Sequence, residues 1–392
     1  MDRGARGPAV SAPERTAEVA ALVRDAAARG RPLRIAGSGG WLDAGRPVAG
    51  AEPMLLDRIA GIVEYVPGDL TLTARAGTTL AAIRRATAAQ RQFLPLDPFA
   101  KPSATLGATI ATASWGPLAH AYGVPRDLVL GLEVVTGEGT VIRTGGRVWK
   151  NVAGFDLTRL HTGAWGTLGV ITEATVRLRA MPEADETVAV GLGARDADGA
   201  IGGLLKYLRA APVAPVAMEV LSPALAARLG VANRTVALVR LAGNAESVDA
   251  ERRTLLDETR AAPVDGGVWR LLRESDPPDG AVLRLSGGTL RLDAMWADVR
   301  LATEEWTGAY AHATPARGVM RLVLPNADAA RVTAALDFVQ RLGIGCVAER
   351  VPAACWAHPA LASSAGDPLS RRARDAFDPR RVLNRGILGG DA

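Results

Sequence analysis

Cysteine is almost absent from this sequence, since Cys346 and Cys355 are the only two. An iron–sulfur cluster generally takes about four thiolates, as does a zinc site built from cysteine alone, so this chain has too few for either. We expect both thiols to be free and buried in a reducing compartment, and we predict no metal site. Any iron–sulfur cluster that works with this protein has to lie on a partner.

Long apolar runs are also missing. No stretch approaches the roughly 20 apolar residues that span a bilayer, and residues 1–30 contain no apolar run of secretory length. We therefore expect a cytoplasmic location without direct membrane insertion, any contact with a membrane being made through partners. A length of 392 residues with 48% apolar residues is ample for two domains.

Lysine is scarce, so arginine supplies nearly all of the positive charge behind the formal net charge of +5. The arginines are scattered singly along the chain and form no basic stripe, which argues against a nucleic-acid partner. An excess of positive charge also suits small anions such as a diphosphate or a carboxylate substrate.

The first half of the chain predicts a small α/β unit. Its elements are a helix over 16–30 with Thr16 as N-cap, a strand over 32–36 that ends in a glycine-rich turn, strands over 55–66 and 70–76, and a helix over 80–89. Two β-branched runs, 132–135 and 140–143, flank a glycine turn and predict a hairpin. A further strand is expected over 170–178.

The pattern of predicted elements changes after Pro182, where strands and helices follow each other in two similar halves. The second half begins with predicted strands over 282–285 and 289–293 and a helix over 298–307. This order indicates an antiparallel sheet backed by helices, so the overall class is α+β. We predict a first domain over 1–182, completed by 365–392, and a second over 183–364.

Three glycine-rich segments carry the chemistry: 35–41, 102–117 and 150–172. Glycines let backbone amides approach a diphosphate closely, and short hydroxyl side chains can line a flat ligand. The first segment is not a Rossmann loop. Leu42 stands where that motif needs its last glycine, and Gly45 and Pro47 prevent a helix soon afterwards.

The three segments together resemble the FAD-binding domain of the vanillyl-alcohol-oxidase/p-cresol methylhydroxylase (PCMH) superfamily, most closely the FAD-binding subunit of glycolate oxidase. The motifs are Gly37-Ser38-Gly39-Gly40, Thr105-Leu106-Gly107-Ala108, Lys150-Asn151-x-x-Gly154 and Gly166-Thr167-Leu168-Gly169-Val170-Ile171, and the ending 377–386 matches the closing segment of the family. The resemblance implies a two-subdomain PCMH-type domain, followed by a cap whose antiparallel sheet has ferredoxin-like βαβ halves.

The resemblance also implies which residues bind FAD. The loop 37–41 would hold the pyrophosphate, 105–114 would line the diphosphate and isoalloxazine, Val170 and Ile171 would meet the adenine, and Asn384 would lie near the flavin ring. Because no histidine precedes His120, we expect non-covalent FAD. The complete predicted set is Gly37, Ser38, Gly39, Gly40, Trp41, Pro98, Thr105, Leu106, Gly107, Ala108, Thr109, Thr112, Ser114, Gly116, Tyr122, Lys150, Asn151, Gly154, Gly166, Gly169, Val170, Ile171 and Asn384.

The cap would supply a base and a cation for the substrate, yet its sequence identifies neither. Arg284 and Arg321 on predicted strands are candidates for binding a carboxylate, although a solvated strand face explains them better. His161 is a candidate base whose alternative is a structural histidine. His312 and His358 stand alone in the sequence.

Two classes of function remain open at this stage. The resemblance implies hydride transfer to flavin N5 from a small carboxylate substrate such as glycolate or D-lactate, performed alone or in a complex with a second flavoprotein subunit and an iron–sulfur subunit. The alternative is a subunit of such a complex that holds FAD for electron transfer or scaffolding. A cell-wall reductase of an enolpyruvyl nucleotide sugar is disfavoured, because its serine and glutamate cannot be placed.

Overall fold

The computed structural model describes residues 10–40, 43–146, 156–192, 200–361 and 365–389. The chain divides into two compact units. Unit 1 comprises Met1–Trp115, Gly123–Ala180 and Ser363–Ala392, and unit 2 comprises Gly116–Tyr122 and Met181–Ala362. Within the described ranges, no helix is long and apolar enough to cross a membrane.

The described residues form the following strands and α-helices, numbered in chain order. The strands are β1 Leu33–Ala36, β2 Glu52–Leu55, β3 Ile62–Val66, β4 Thr71–Arg75, β5 Gln92–Phe93, β6 Val129–Val135, β7 Val141–Gly145, β8 Val170–Arg177, β9 Arg179–Ala180, β10 Ala184–Gly191, β11 Ala217–Leu221, β12 Val236–Gly243, β13 Ala261–Pro263, β14 Ala281–Ser286, β15 Tyr310–Thr314, β16 Val319–Leu324 and β17 Gly345–Arg350. The α-helices are α1 Thr16–Arg29, α2 Leu80–Ala88, α3 Leu106–Ala111, α4 Ala119–Tyr122, α5 Pro125–Leu128, α6 Leu157–His161, α7 Ala200–Ala210, α8 Pro223–Arg228, α9 Ala245–Glu258, α10 Val268–Arg273, α11 Leu292–Glu305, α12 Ala329–Leu342 and α13 Pro368–Phe377.

Unit 1 contains a five-stranded sheet, a parallel pair and the short pair β5-β9, and the first two correspond to the two predicted subdomains. An antiparallel sheet of order β3-β4-β8-β6-β7 packs its apolar face against α2 and α3, with Leu72, Ile83 and Ile110 fully buried. A parallel pair, β1-β2, packs against α1 and is extended by a bridge from Leu33 to Leu383. The C-terminal segment therefore completes the smaller layer.

Asp378 fixes this C-terminal segment in unit 1. Its buried carboxylate accepts hydrogen bonds from the backbone amides of Val382 (3.2 Å) and Leu383 (2.8 Å), which forms a tight turn. The segment lies against the β6-β7 hairpin, where Gly137 donates its amide to the Phe377 carbonyl at 2.8 Å. A Cβ at Gly137 would come within 2.2 Å of Asp378 Oδ1, so this contact requires glycine.

Unit 2 is built on an eight-stranded antiparallel sheet of order β13-β10-β12-β11-β15-β16-β14-β17. Alternate residues such as Met218, Val220, Ala311 and Leu322 point into one large core beneath helices α7, α9, α11 and α12. The predicted α+β class, with an antiparallel sheet backed by helices in the second half, is confirmed.

Two sequence-based predictions about elements were wrong, and one strand was missed. Residues 289–293 are a 3-10 turn and the start of α11, because Leu292, Met295, Trp296 and Val299 are spaced to bury one helical face. Thr16 is the first residue of α1 and does not cap it; its hydroxyl donates to Glu133 Oε1 at 2.8 Å. Strand β15 was missed, since Tyr-Ala-His-Ala-Thr has little β-branched character although all five residues are buried.

Candidate functional site

A long cleft in unit 1 brings the glycine-rich segments together. It has about 970 Å³ of empty space, part of it open to solvent. The loop after β1, the N-terminal half of α3 and the start of β8 form its walls. These three parts meet because β1 ends at the cleft and β8 begins there. Helix α3 packs directly on β4 beside them.

Thr105 organises the wall formed by α3. Its side chain caps the helix by accepting from the Ala108 amide at 3.4 Å, and its carbonyl accepts from the Thr109 hydroxyl at 2.9 Å. One turn later the Thr112 hydroxyl contacts the Ala108 carbonyl and the Ser114 hydroxyl, each at 2.7 Å. The helix thus presents small residues and oriented hydroxyls to the cleft.

Glycine is required here mainly for packing within the protein. A Cβ at Gly37 would come within 2.1 Å of Thr105 Oγ1, and one at Gly107 within 2.6 Å of the Ala76 Cβ. Both glycines let the loop and α3 approach their neighbours closely. Gly39 adopts φ +80, which an L side chain rarely takes, so it shapes the loop itself.

Asn384 connects the C-terminal segment to two walls of the cleft. Its Oδ1 accepts from the Ile35 amide at 2.8 Å, and its Nδ2 donates to the Trp165 carbonyl at 2.7 Å. The side chain is 2% exposed. Both polar atoms of the amide are therefore used to hold the backbone beside Gly166.

The charges lining the cleft have one sign. Arg34 and Lys101 line it, and no carboxylate does so within the described residues. The guanidinium of Arg34 donates to the carbonyls of Ile35 and Ala44, each at 3.0 Å; burial lowers the pKa of Arg34, and the charge of Asp43 opposes that shift. The cleft is electropositive and suits a diphosphate. Sequence reasoning missed both cations, whose only signal was their position beside the glycine segments.

Most of the residues predicted to bind the cofactor line this one cleft. They are Gly37, Ser38, Gly39, Gly40, Pro98, Thr105, Gly107, Ala108, Thr109, Thr112, Ser114, Gly166, Gly169, Val170, Ile171 and Asn384. Leu106 is instead fully buried in the core, and Gly116 and Tyr122 belong to unit 2. Trp41, Lys150, Asn151 and Gly154 lie outside the described residues.

His161 has the environment of a packing residue. It is 2% exposed, and its ring meets Phe377 edge-on with the ring centroids 5.1 Å apart. Burial lowers its pKa to about 4, so the ring is neutral at physiological pH and is a weak base. This geometry favours the structural alternative.

Arg321 and Arg284 belong to an ion-pair network on the sheet of unit 2. Arg321 is buried and donates to both carboxylate oxygens of Asp276, at 3.0 and 2.7 Å, and to Glu349 at 2.6 Å. Although burial alone would lower its pKa, these two carboxylates raise it. Arg284 lies 3.9 Å from Glu349. Both arginines already form ion pairs with acidic side chains, which argues against a role in binding a substrate carboxylate.

A second polar cluster on the same sheet was not found from sequence. Glu219 on β11 is 0% exposed, and its carboxylate contacts His312 Nδ1 at 2.8 Å and the Thr314 hydroxyl at 2.5 Å. His312 pairs across strands with Arg321, so polar side chains of β11, β15 and β16 meet on the face of the sheet opposite the core. Because Glu219 and His312 are 93 positions apart, no local motif could announce the pair.

The segment Gly116–Tyr122 joins this cluster within unit 2. Arg317 donates twice to the Ala119 carbonyl, at 3.2 and 2.6 Å. Burial lowers the pKa of His120, the charge of Glu219 opposes that shift, and Arg317 adds to it. Two histidines, one carboxylate and one guanidinium are thus gathered in one part of unit 2.

Comparison with known proteins indicates which ligand the cleft binds. Residues 8–145 match the family described as FAD binding domain. Glycolate oxidase subunit GlcD of Bacillus subtilis (strain 168) is 39% identical over 46% of this chain and 38% of its own length. Glycolate oxidase subunit GlcE of Escherichia coli (strain K12) is 35% identical over 63% of this chain and 65% of its own length. This chain therefore spans less than two thirds of either relative.

The structure is similar to that of p-cresol methylhydroxylase with substrate bound, at a TM-score of 0.75 and 15% identity, covering 100% of this chain and 90% of the other. That likeness establishes the fold. The cleft also fits FAD on its own terms, because it is long, carries oriented hydroxyls and has two cations without a carboxylate among the described residues. The chain is therefore a flavoprotein whose cofactor is FAD, and its FAD-binding domain is related to those of the glycolate oxidase subunits.

Proposed function

We propose that this protein is an FAD-dependent oxidoreductase that oxidises the CH–OH group of a small 2-hydroxy acid such as glycolate or D-lactate, as a subunit of a glycolate-oxidase-like complex. The observation that carries the proposal is the electropositive cleft, whose walls combine a glycine loop, the hydroxyls of α3 and two cations. When bound, FAD accepts the hydride, which is chemistry that no side chain can supply.

The residues of the cleft have two tasks in this proposal. The loop 37–40 and the cations Arg34 and Lys101 would bind and orient the pyrophosphate. Thr112 and Ser114, already oriented by their mutual hydrogen bond, would line the ring system. Binding would be non-covalent, because the chain has no histidine before His120.

Anaerobic mixing with glycolate or D-lactate tests this function. We expect the visible flavin absorbance to bleach, and we expect Lys101→Gln, which removes a cation that lines the cleft, to lower the FAD content. Lys206→Gln, at an exposed residue of α7, should keep the FAD content and bleach like the wild type. If an FAD-loaded protein keeps its colour with every hydroxy acid, alone and with its complex partners, substrate oxidation by this chain is wrong.

The second candidate function is a subunit that holds FAD without oxidising the substrate itself. The ion pairs that occupy Arg321 and Arg284 favour it, because they remove the two cations first expected to bind a carboxylate. The similarity to GlcE over 63% of this chain agrees with a role inside a complex. In that case the isolated protein would be yellow and inert, and the flavin would be reduced only when a second flavoprotein subunit and an iron–sulfur subunit are added.

A further inference from the structure

Unit 2 contains a separate cavity with about 1030 Å³ of empty space, part of it open to solvent, that the proposed function does not use. It lies at the ends of β10 and β12, beside α11. Its polar lining is Asn233, Arg234, Thr235, Arg260, Arg300 and Glu304. The apolar part includes Leu192, Ile201 and the buried Trp296. A cavity of this size and composition suits a small organic molecule.

The charge of the lining is strongly unbalanced. Three guanidinium groups face one carboxylate, a net charge of +2. Glu304 is already paired with Arg300 Nη1, and Arg300 Nε is buried without a hydrogen-bond partner among the described residues. In that same part of the chain, neither Arg234 nor Arg260 has an acidic partner. An anion would supply the missing acceptors.

The backbone holds one of these arginines in place. The guanidinium of Arg234 packs on Gly191, where an added Cβ would lie 3.1 Å from its Nε and Nη2 atoms. Arg260 stands next to the same strand end, since its carbonyl accepts the Gly191 amide at 3.1 Å. Both residues therefore lie at the same end of β10 and both line the cavity, so their guanidinium groups can act on one ligand.

We propose that this cavity binds a small organic dianion, with a phosphate or dicarboxylate group held by Arg234, Arg260 and Arg300 and an apolar body resting near Trp296. Guanidinium groups suit such ligands because their planar donors pair with two oxygens at once. This site is distinct from the FAD cleft, all of whose lining residues belong to unit 1.

Calorimetric titration of the FAD-saturated protein tests the site, since saturation removes the FAD cleft as a competing anion site. Phenyl phosphate and phthalate represent the two head groups, and phenol is the neutral control at matched ionic strength. We expect at least one dianion to bind while phenol does not, and which of the two binds identifies the head group. Arg234→Gln and Arg260→Gln should each raise the dissociation constant about tenfold.

The matched control is Arg253→Gln, which removes an exposed arginine of the same unit. It should leave the dissociation constant unchanged, whereas Gly191→Ala should raise it by displacing Arg234. The proposal is overturned if neither dianion binds more tightly than phenol, if Arg253→Gln weakens binding as much as Arg234→Gln does, or if binding is seen only before FAD saturation.

Discussion

Asn384 illustrates at the residue scale how one buried amide supports a binding cleft from the far end of the chain. We predict that Asn384→Asp destabilises the protein by about 1–3 kcal/mol, because the donor to the Trp165 carbonyl is lost and a carboxylate is buried in its place. FAD affinity should fall as well, since Trp165 and Gly166 line the cleft. Denaturant unfolding and FAD titration measure the two effects.

Asn326→Asp is the control for that change. Asn326 is exposed and has φ +48, a conformation that both asparagine and aspartate tolerate. Its substitution should leave both stability and FAD affinity unchanged. Equal losses in the two variants would mean that the Asn384 hydrogen bonds are not the cause.

His161 should make stability depend on pH. Its folded pKa of about 4 lies below the ordinary value of 6.5, so the unfolded chain takes up this proton first as the pH falls. The resulting loss begins near pH 6.5, is complete near pH 4, and amounts to about 3 kcal/mol at most. We expect His161→Phe to lose less stability than the wild type between pH 7 and pH 4.5 in urea unfolding. A wild-type curve that parallels the variant would contradict this account.

Glu219 is the residue whose removal should cost most in unit 2. Glu219→Ala leaves His312 and Thr314 without their common acceptor in a buried site, so we predict a loss of about 3–5 kcal/mol. The exposed Glu186, on the same sheet, is the control, and Glu186→Ala should change stability by less than about 0.5 kcal/mol. Similar losses from the two substitutions, measured by chemical denaturation, would show that the cluster adds little.

At the scale of elements, the β6-β7 hairpin and the C-terminal segment depend on each other through Gly137. We predict that Gly137→Ala destabilises unit 1 by about 1–3 kcal/mol, because the new Cβ would overlap the Asp378 side chain. The matched control is Gly68→Ala, since Gly68 has open space around its Cβ position. Thermal unfolding should show a lower midpoint for the first variant only, and equal midpoints would contradict the packing argument.

The elements also show which features could be predicted from sequence. Strand β8 was predicted over 170–178 and lies at Val170–Arg177, because its apolar and β-branched residues alternate without a break. Strand β15 was missed because burial, and not propensity, makes its alanines a strand. The helical spacing of apolar residues in α11 begins at Leu292, before the predicted helix start at 298. The residues expected to form a strand at 289–293 therefore form a 3-10 turn and the first residues of α11.

The candidate site also has features that could be predicted from sequence and features that could not. The glycine segments could be recognised because they are local in sequence, and they line one cleft. The packing role of Gly37, by contrast, depends on Thr105, which lies far along the chain. The pairing of Glu219 with His312 depends on the order of the strands, and a single sequence does not reveal that order.

At the scale of the whole molecule, the two units differ in what their polar groups do. Unit 1 combines cations, hydroxyls and glycines in an open cleft, whereas unit 2 buries paired acids and bases on one face of a large sheet. The segment Gly116–Tyr122, which the sequence analysis assigned to the first domain, groups with unit 2. Cofactor binding is thus proposed for unit 1.

The visible absorption spectrum of the purified protein, recorded before and after acid precipitation, tests the central claim most directly. We predict a flavin spectrum whose colour passes into the supernatant on precipitation, because the cofactor is FAD and is expected to be held without a covalent bond. Colour that stays in the pellet would contradict non-covalent binding, but it would leave the identification of the FAD site standing. A colourless protein that takes up no added FAD would contradict the identification of the cleft as an FAD site.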